Sequence, residues 1–135
     1  MEPGNLKVMR RFIEEGIAKQ NQQAFDECAA LKIKEHQPGM PQDRDGIKAE
    51  LWKIRGYFPD VVFSLQQSAV NGDTVWVHYL VTGTHTGNPL MGNPANGKPF
   101  KMDLIDIARI KGGKIVEHWG IPDRLAMLRQ LGYLN

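Results

Sequence analysis

Ile105-Asp-Ile-Ala-Arg-Ile-Lys-Gly-Gly-Lys-Ile-Val-Glu-His-Trp119 is the stretch that decides how this chain is read. Ile105, Ile107 and the alternating residues after them follow a period of two, and Lys111-Gly112-Gly113-Lys114 supplies a tight turn. The stretch is therefore a hairpin of two strands. The first carries Asp106 between isoleucines. The second carries Glu117 and His118 just before Trp119. Ionisable groups among apolar neighbours on adjacent strands point to a polar patch inside a pocket.

Upstream of the hairpin the same period recurs. Strands are expected near 61–70 and 74–86, joined at Asn71-Gly72-Asp73, and the hairpin itself covers about 99–110 and 114–120. Gly87 to Gly97 holds glycines, asparagines and prolines and reads as a loop. The first third of the chain is helical instead. Leu6, Met9, Phe12, Ile13 and Ile17 lie at helical spacing, with Asn5 as the expected cap. A short helix follows from Gln22 to Ala29, capped by Asn21, and then a short strand through Leu31 and Ile33 to about His36. A third helix, capped by Asp43 or Asp45, carries Ile47, Leu51, Ile54 and Phe58 and stops at Pro59. Pro122 opens a closing helix with Leu125, Leu128 and Leu131 on one side, and Gly132 ends it. Helices first and antiparallel strands after give an α+β fold. The expectation is one domain over residues 1–135, a cone-shaped curved antiparallel sheet whose N-terminal helices enclose a pocket.

Bulk properties narrow the function. The chain has 135 residues, 41% of them hydrophobic and 24% charged, enough for a core without disulfides or metals. A formal net charge of +2, spread along the chain, gives no footprint for nucleic acid or an anionic membrane. The single cysteine, Cys28, beside Ala29 and Ala30, reads as a buried inert thiol. No signal peptide or membrane-spanning run is visible, so the expected location is cytoplasmic. Phosphate-loop, dinucleotide and GxSxG motifs are missing. His36, His78, His85 and His118 do not stand at metal-ligand spacing, so no metal is expected.

Several segments together resemble the SnoaL-like polyketide cyclase family, within the nuclear transport factor 2-like superfamily. They are Arg10-Arg11-Phe12, Glu35-His36-Gln37-Pro38, Tyr57-Phe58-Pro59-Asp60, Val81-Thr82-Gly83-Thr84-His85-Thr86-Gly87, the hairpin already quoted, and the tail from Asp123 to Gly132. The resemblance covers nearly the whole chain. It implies ring closure by an intramolecular aldol step with no metal or organic cofactor. It also implies a small-molecule ligand and a homodimer. The family's acid/base aspartate aligns directly after Glu117-His118-Trp119, where this chain has Gly120, and its pocket histidine aligns with Asp106. A carboxylate thus stands where the histidine is expected, and the expected acid is missing.

Candidate site residues follow from strand alternation. Asp106 and His118 lie on adjacent strands and form the candidate catalytic acid/base pair, with a salt-bridged or core-satisfied pair as the plainer alternative. His36, before the rigid lip of Pro38 and Pro41, is the candidate substrate donor at the rim. Tyr79 shares a face with Val75, Val77 and Val81 and would present its hydroxyl to the cone. Trp76 and His78 share the opposite face and are the expected dimer contact. Glu117, Asp103 and Lys101 are expected outside the pocket, and His85 is expected to bond loop backbone. Two functions remain open. One is a cofactor-free enzyme acting on a small apolar carbonyl or cyclic compound, by cyclisation, isomerisation, dehydration or ring hydrolysis. The other is a binding module holding a hydrophobic ligand in the same cone without turnover. A dimer whose cone is filled by side chains is a third.

Overall fold

A computed structural model describes residues 2–134. Helix α1 (Gly4–Arg10) continues without a break into a π-helical segment, Arg11–Ile17. Then come α2 (Gln22–Cys28), β1 (Ala29–Glu35), α3 (Arg44–Tyr57), β2 (Val62–Asn71), β3 (Thr74–Thr84), β4 (Pro99–Lys111), β5 (Lys114–Pro122) and α4 (Arg124–Leu131). The five strands form one curved open sheet in the order β1-β5-β4-β3-β2. Every neighbouring pair is antiparallel except β1 with β5. This is the α+β cone expected from the sequence.

The turns explain the hairpins. Gly112 and Gly113 both have positive φ (58° and 75°), the geometry of a type I′ turn, which matches the twist of the flanking strands. Gly72 (φ 61°) turns β2 into β3. Along β3 burial alternates residue by residue, so Val75, Val77, Tyr79 and Val81 face inward and Trp76 faces out. The inner face carries the core, with Met9, Phe12, Ile13, Phe25, Ile47, Ala108, Ile110, Ile115 and Leu131 among its buried side chains. Cys28 is buried there, and desolvation raises its thiol pKa, as befits an inert group.

Local readings needed correction at several ends. Asn5 does not cap α1; Pro3 occupies that position, and Asn5 sits inside the helix with its amide donating to the Gly72 carbonyl at 3.4 Å. Asn21 does cap α2, accepting from the Ala24 N–H at 3.0 Å. Asp43 precedes α3 without a side-chain cap bond. Pro122 ends β5 rather than opening α4, whose cap is Asp123. On α4 the buried residues are Met127, Leu128 and Leu131, while Leu125 is exposed. The π-helical turn has no simple sequence signal. It buries Phe12, Ile13, Gly16 and Ile17, and Gly16 lies so close to α2 that an added Cβ would stand 3.1 Å from Phe25 Cα.

Candidate active site

A cavity of about 300 Å³ opens between the inner face of the sheet and the helices. Its wall is largely apolar: Ile13, Ile17, Leu51, Ile54, Phe58, Phe63, Val81, Leu90, Phe100 and Leu104. Met40, Met91, Met102 and Met127 add four flexible, polarizable side chains, which let the wall adapt to the shape of an occupant. Glu50, Lys53 and Arg124 are exposed charged members of the lining and mark its mouth. At the deep end stand Asp106 and His118, both buried.

Register sets this end. Asp106 faces Gly120 across the β4–β5 ladder, and Ala108 faces His118, so Asp106 and His118 are diagonal neighbours on one face. His118 Nε2 lies 3.1 Å from Asp106 Oδ2. His118 Nδ1 lies 3.0 and 2.8 Å from the two carboxylate oxygens of Glu35, the last residue of β1. The Glu35 side chain is almost completely buried, and its Oε1 also accepts the Gln37 N–H at 3.1 Å. Phe12 packs within reach of the His118 ring, at 6.4 Å between centroids. The result is a carboxylate–imidazole–carboxylate row, with Glu35 behind and Asp106 toward the cavity.

The electrostatics of the row follow from its two carboxylates. Burial alone disfavours a charged imidazole. Asp106 and then Glu35 outweigh that, and push the His118 pKa up to about 10. At neutral pH His118 is therefore an imidazolium donating from both ring nitrogens, and is not available as a free base. Asp106 Oδ2 receives one of those bonds. Its Oδ1 makes no hydrogen bond to another described residue. Asp106 thus offers the cavity an acceptor oxygen on a carboxylate fixed from behind.

The other sequence candidates are placed elsewhere. His36 does not line the cavity, which corrects the rim position expected for it. Its Nε2 lies 2.7 Å from Glu117 Oε2, and its ring stacks on Trp119 at 4.4 Å with the planes 2° apart. The reason is parity: Glu35 points in, so its neighbour His36 points out. Tyr79 faces inward as expected, but its hydroxyl donates to Glu14 Oε2 at 2.7 Å and does not line the cavity. Burial and then the Glu14 carboxylate hold that phenol well above its ordinary pKa. Glu117 lies outside the pocket, bonded to His36 and Arg109, which lower its pKa. Asp103 is likewise outside, 2.7 Å from His78 Nε2. His85 bonds the Asn88 carbonyl at 2.7 Å and the Tyr133 hydroxyl.

Glu35 is the residue that sequence reasoning missed. Ile33 and Glu35 share strand parity, and that was the available signal. A register irregularity between Ala29 and Lys34 obscured it, because it leaves Leu31 exposed and breaks the alternation that begins there. Among the described residues no group of three or more His, Cys, Asp and Glu is arranged to hold a metal ion. No helix among them is long and apolar enough to cross a membrane.

Comparison with known proteins agrees with this architecture. TsrD from Streptomyces laurentii superposes with a TM-score of 0.87 at 26% identity, covering 99% of each chain. IdmH from Streptomyces antibioticus gives a TM-score of 0.81 at 30% identity, over 95% of this chain and 98% of its own. Aklanonic acid methyl ester cyclase DnrD of Streptomyces peucetius is 33% identical over 98 residues, 73% of this chain and 67% of DnrD. The corresponding cyclase DauD of Streptomyces sp. strain C5 is 44% identical over 62 residues, which span 46% of this chain but only 38% of DauD. The family profile of SnoaL-like polyketide cyclases matches residues 7–131, and the chain belongs to that family.

Proposed function

We propose that this protein is a cofactor-free, cyclase-type proton-transfer enzyme that closes a ring in an apolar polyketide-like ketone, with Asp106 as its base. The observation that carries the reading is a cavity-facing carboxylate fixed by a buried imidazolium, which is itself fixed by a second carboxylate. Such a row holds Asp106 at a set angle beside an apolar wall.

The chemistry runs in balanced steps. Asp106 takes a proton from carbon between two carbonyl groups, and the C–H electron pair becomes an enolate. The enolate carbon attacks a second carbonyl carbon of the same molecule and forms a carbon–carbon bond. The π pair of that carbonyl moves to its oxygen, and the resulting alkoxide takes back the proton held by Asp106. The product is an isomer of the substrate. His118 and Glu35 keep Asp106 in position and take no part in the proton transfer.

DnrD and DauD are aklanonic acid methyl ester cyclases, so aklanonic acid methyl ester is the first compound to test. The expected result is a new product of unchanged mass, formed by the wild type and not by Asp106→Asn. A protein that binds such ketones tightly but never converts them would support the ligand-binding reading instead.

We also propose that the enzyme works as a homodimer joined through the outer sheet face. Trp76, Ile107 and Trp119 stand in register across β3, β4 and β5, and Trp76 and Ile121 are exposed large apolar groups on that face. An apolar patch of this kind is the expected core of an interface.

A further inference from the structure

Gly120 and Gln37 together form a feature that the acid/base row does not use. Gly120 lacks any conformational need for glycine, since it is absent from the positive-φ positions. What it lacks is space. A Cβ built there would stand 2.5 Å from Gln37 Oε1, 3.3 Å from Asp106 Oδ1 and 3.3 Å from His118 Cε1. The side chain of Gln37 therefore occupies the room that any residue other than glycine would fill at 120. It lines the same cavity as Asp106 and His118.

Hydrogen bonds fix the backbone of this residue. Gln37 N–H donates to Glu35 Oε1 at 3.1 Å, and the Gln37 carbonyl accepts the Met40 N–H at 3.2 Å. One end of Gln37 is thus tied to the carboxylate that holds His118. The other end, its carboxamide, makes no hydrogen bond to another described residue. Its Oε1 is the atom nearest Gly120, and its Nε2 carries two N–H donors that a carbonyl oxygen in the cavity can accept once the amide turns them inward. That oxygen belongs to the carbonyl whose neighbouring carbon Asp106 deprotonates.

We infer that Gln37 is a substrate-binding residue whose carboxamide, seated over Gly120, donates to the carbonyl oxygen that gains negative charge as Asp106 removes the proton. The inference rests on the proton-transfer reading of the cavity, and it adds to that reading the donor the reaction requires. An enolate needs both a base at carbon and a donor at oxygen. His118 is committed to its two carboxylates, and of the other donors in the lining, Tyr57, Lys53, Arg124 and Gln37, it is Gln37 that stands with Asp106 around position 120. Glycine at 120 is then a requirement of this site: the carboxylate sits at 106 and the amide lies over 120.

Two measurements separate this claim from the reading beneath it. The first needs no turnover. Binding of 2-naphthol, whose oxygen mimics an enolate oxygen, is compared with binding of 2-methylnaphthalene by fluorescence titration. The wild type should prefer the naphthol by up to about tenfold, as one net hydrogen bond gives. Gln37→Leu should lose that preference and keep its affinity for 2-methylnaphthalene. Gly120→Ala should lose it too, and the double variant Gly120→Ala/Gln37→Leu should be no worse than either single one, since both remove the same contact. The second measurement is solvent-deuterium exchange at the α-carbon of 2-tetralone, which reports proton removal by Asp106. Gln37→Leu should slow it about 10²-fold, the usual cost of one oxyanion donor. A wild type without exchange that still prefers the naphthol through Gln37 would sink the enzyme reading alone. A naphthol preference that survives Gln37→Leu, or a wild type with no preference, overturns the assignment of Gln37.

Discussion

Asp106 and Gly120 face each other directly across the β4–β5 ladder, and an added Cβ at Gly120 would come within 3.3 Å of Asp106 Oδ1. The position where the family resemblance leads one to expect an acid, and the position where this chain carries one, are therefore the two halves of one cross-strand pair. This chain presents its carboxylate from the facing strand, where His118 Nε2 holds it at 3.1 Å. Restoring an acid at 120 should be unproductive here. Gly120→Asp would place a second carboxylate beside Asp106 and displace Gln37, and like charges at that separation disfavour joint ionisation. Activity should fall in this variant. A rise would mean that Asp106 is not the working base.

The protonation of His118 is the most direct electrostatic expectation. Its folded pKa lies near 10, above the unfolded value of about 6.5. A raised pKa means that the stabilisation is complete below the unfolded value and is lost as pH rises through the folded one. Stability from this group should therefore be complete below about pH 6.5, decline steadily above it, and be gone by about pH 10. Ring resonances followed by NMR should show no His118 titration between pH 6 and 8, and Asp106→Asn should shift its titration downward. A His118 midpoint near 6.5 in the wild type would contradict the buried row.

Glu35 is the structural anchor of the row. Replacing one member of a buried ion pair leaves the other unpaired, which costs about 3–5 kcal/mol. Glu35→Leu should lower unfolding free energy by that order, measured by urea denaturation, and should lower the His118 pKa. A loss within about 0.5 kcal/mol, the range of ordinary surface changes, would place Glu35 outside the network.

Tyr79→Phe separates packing from chemistry. It removes the bond to Glu14 Oε2 and leaves the ring, so a stability loss of about 1.5–3 kcal/mol is expected from a hydrogen bond to a charged group. Turnover per folded molecule should be unchanged, because the hydroxyl does not line the cavity. A large drop in kcat with intact folding would return Tyr79 to the substrate.

The outer face makes its own prediction. Sedimentation at micromolar concentration should show a dimer for the wild type and a monomer for Trp76→Glu, which puts a charge in the centre of the proposed contact. A wild-type monomer would remove the interface.

How far the sequence could be read depended on how regular each element is. β3 alternates without interruption, so Tyr79 and Trp76 could be assigned to opposite faces from Val75, Val77 and Val81 alone. The Gly112-Gly113 turn joined β4 to β5, and that placed Asp106 beside His118. β1 was harder. Its register irregularity leaves Leu31 exposed, so the apolar alternation is carried by Ile33 alone and gives a short strand no clear inner face from which to send Glu35 inward. Gln37 was hidden differently, since it lies past the strand in a Pro-Gly turn where no periodicity assigns a face. The π-helical turn at Arg11–Ile17 was not legible because its apolar spacing is also that of an α-helix.

Asp106 is proposed to remove a proton from carbon while His118 and Glu35 hold it. Solvent-deuterium exchange at the α-carbon of 2-tetralone, followed by NMR for the wild type, Asp106→Asn and Tyr79→Phe, tests this most directly. Asp106→Asn keeps the shape of the side chain and removes its basic oxygen. Protein-catalysed exchange is expected in the wild type and in Tyr79→Phe, and its loss in a folded Asp106→Asn. Undiminished exchange in Asp106→Asn, or none in the wild type, would contradict that role of Asp106.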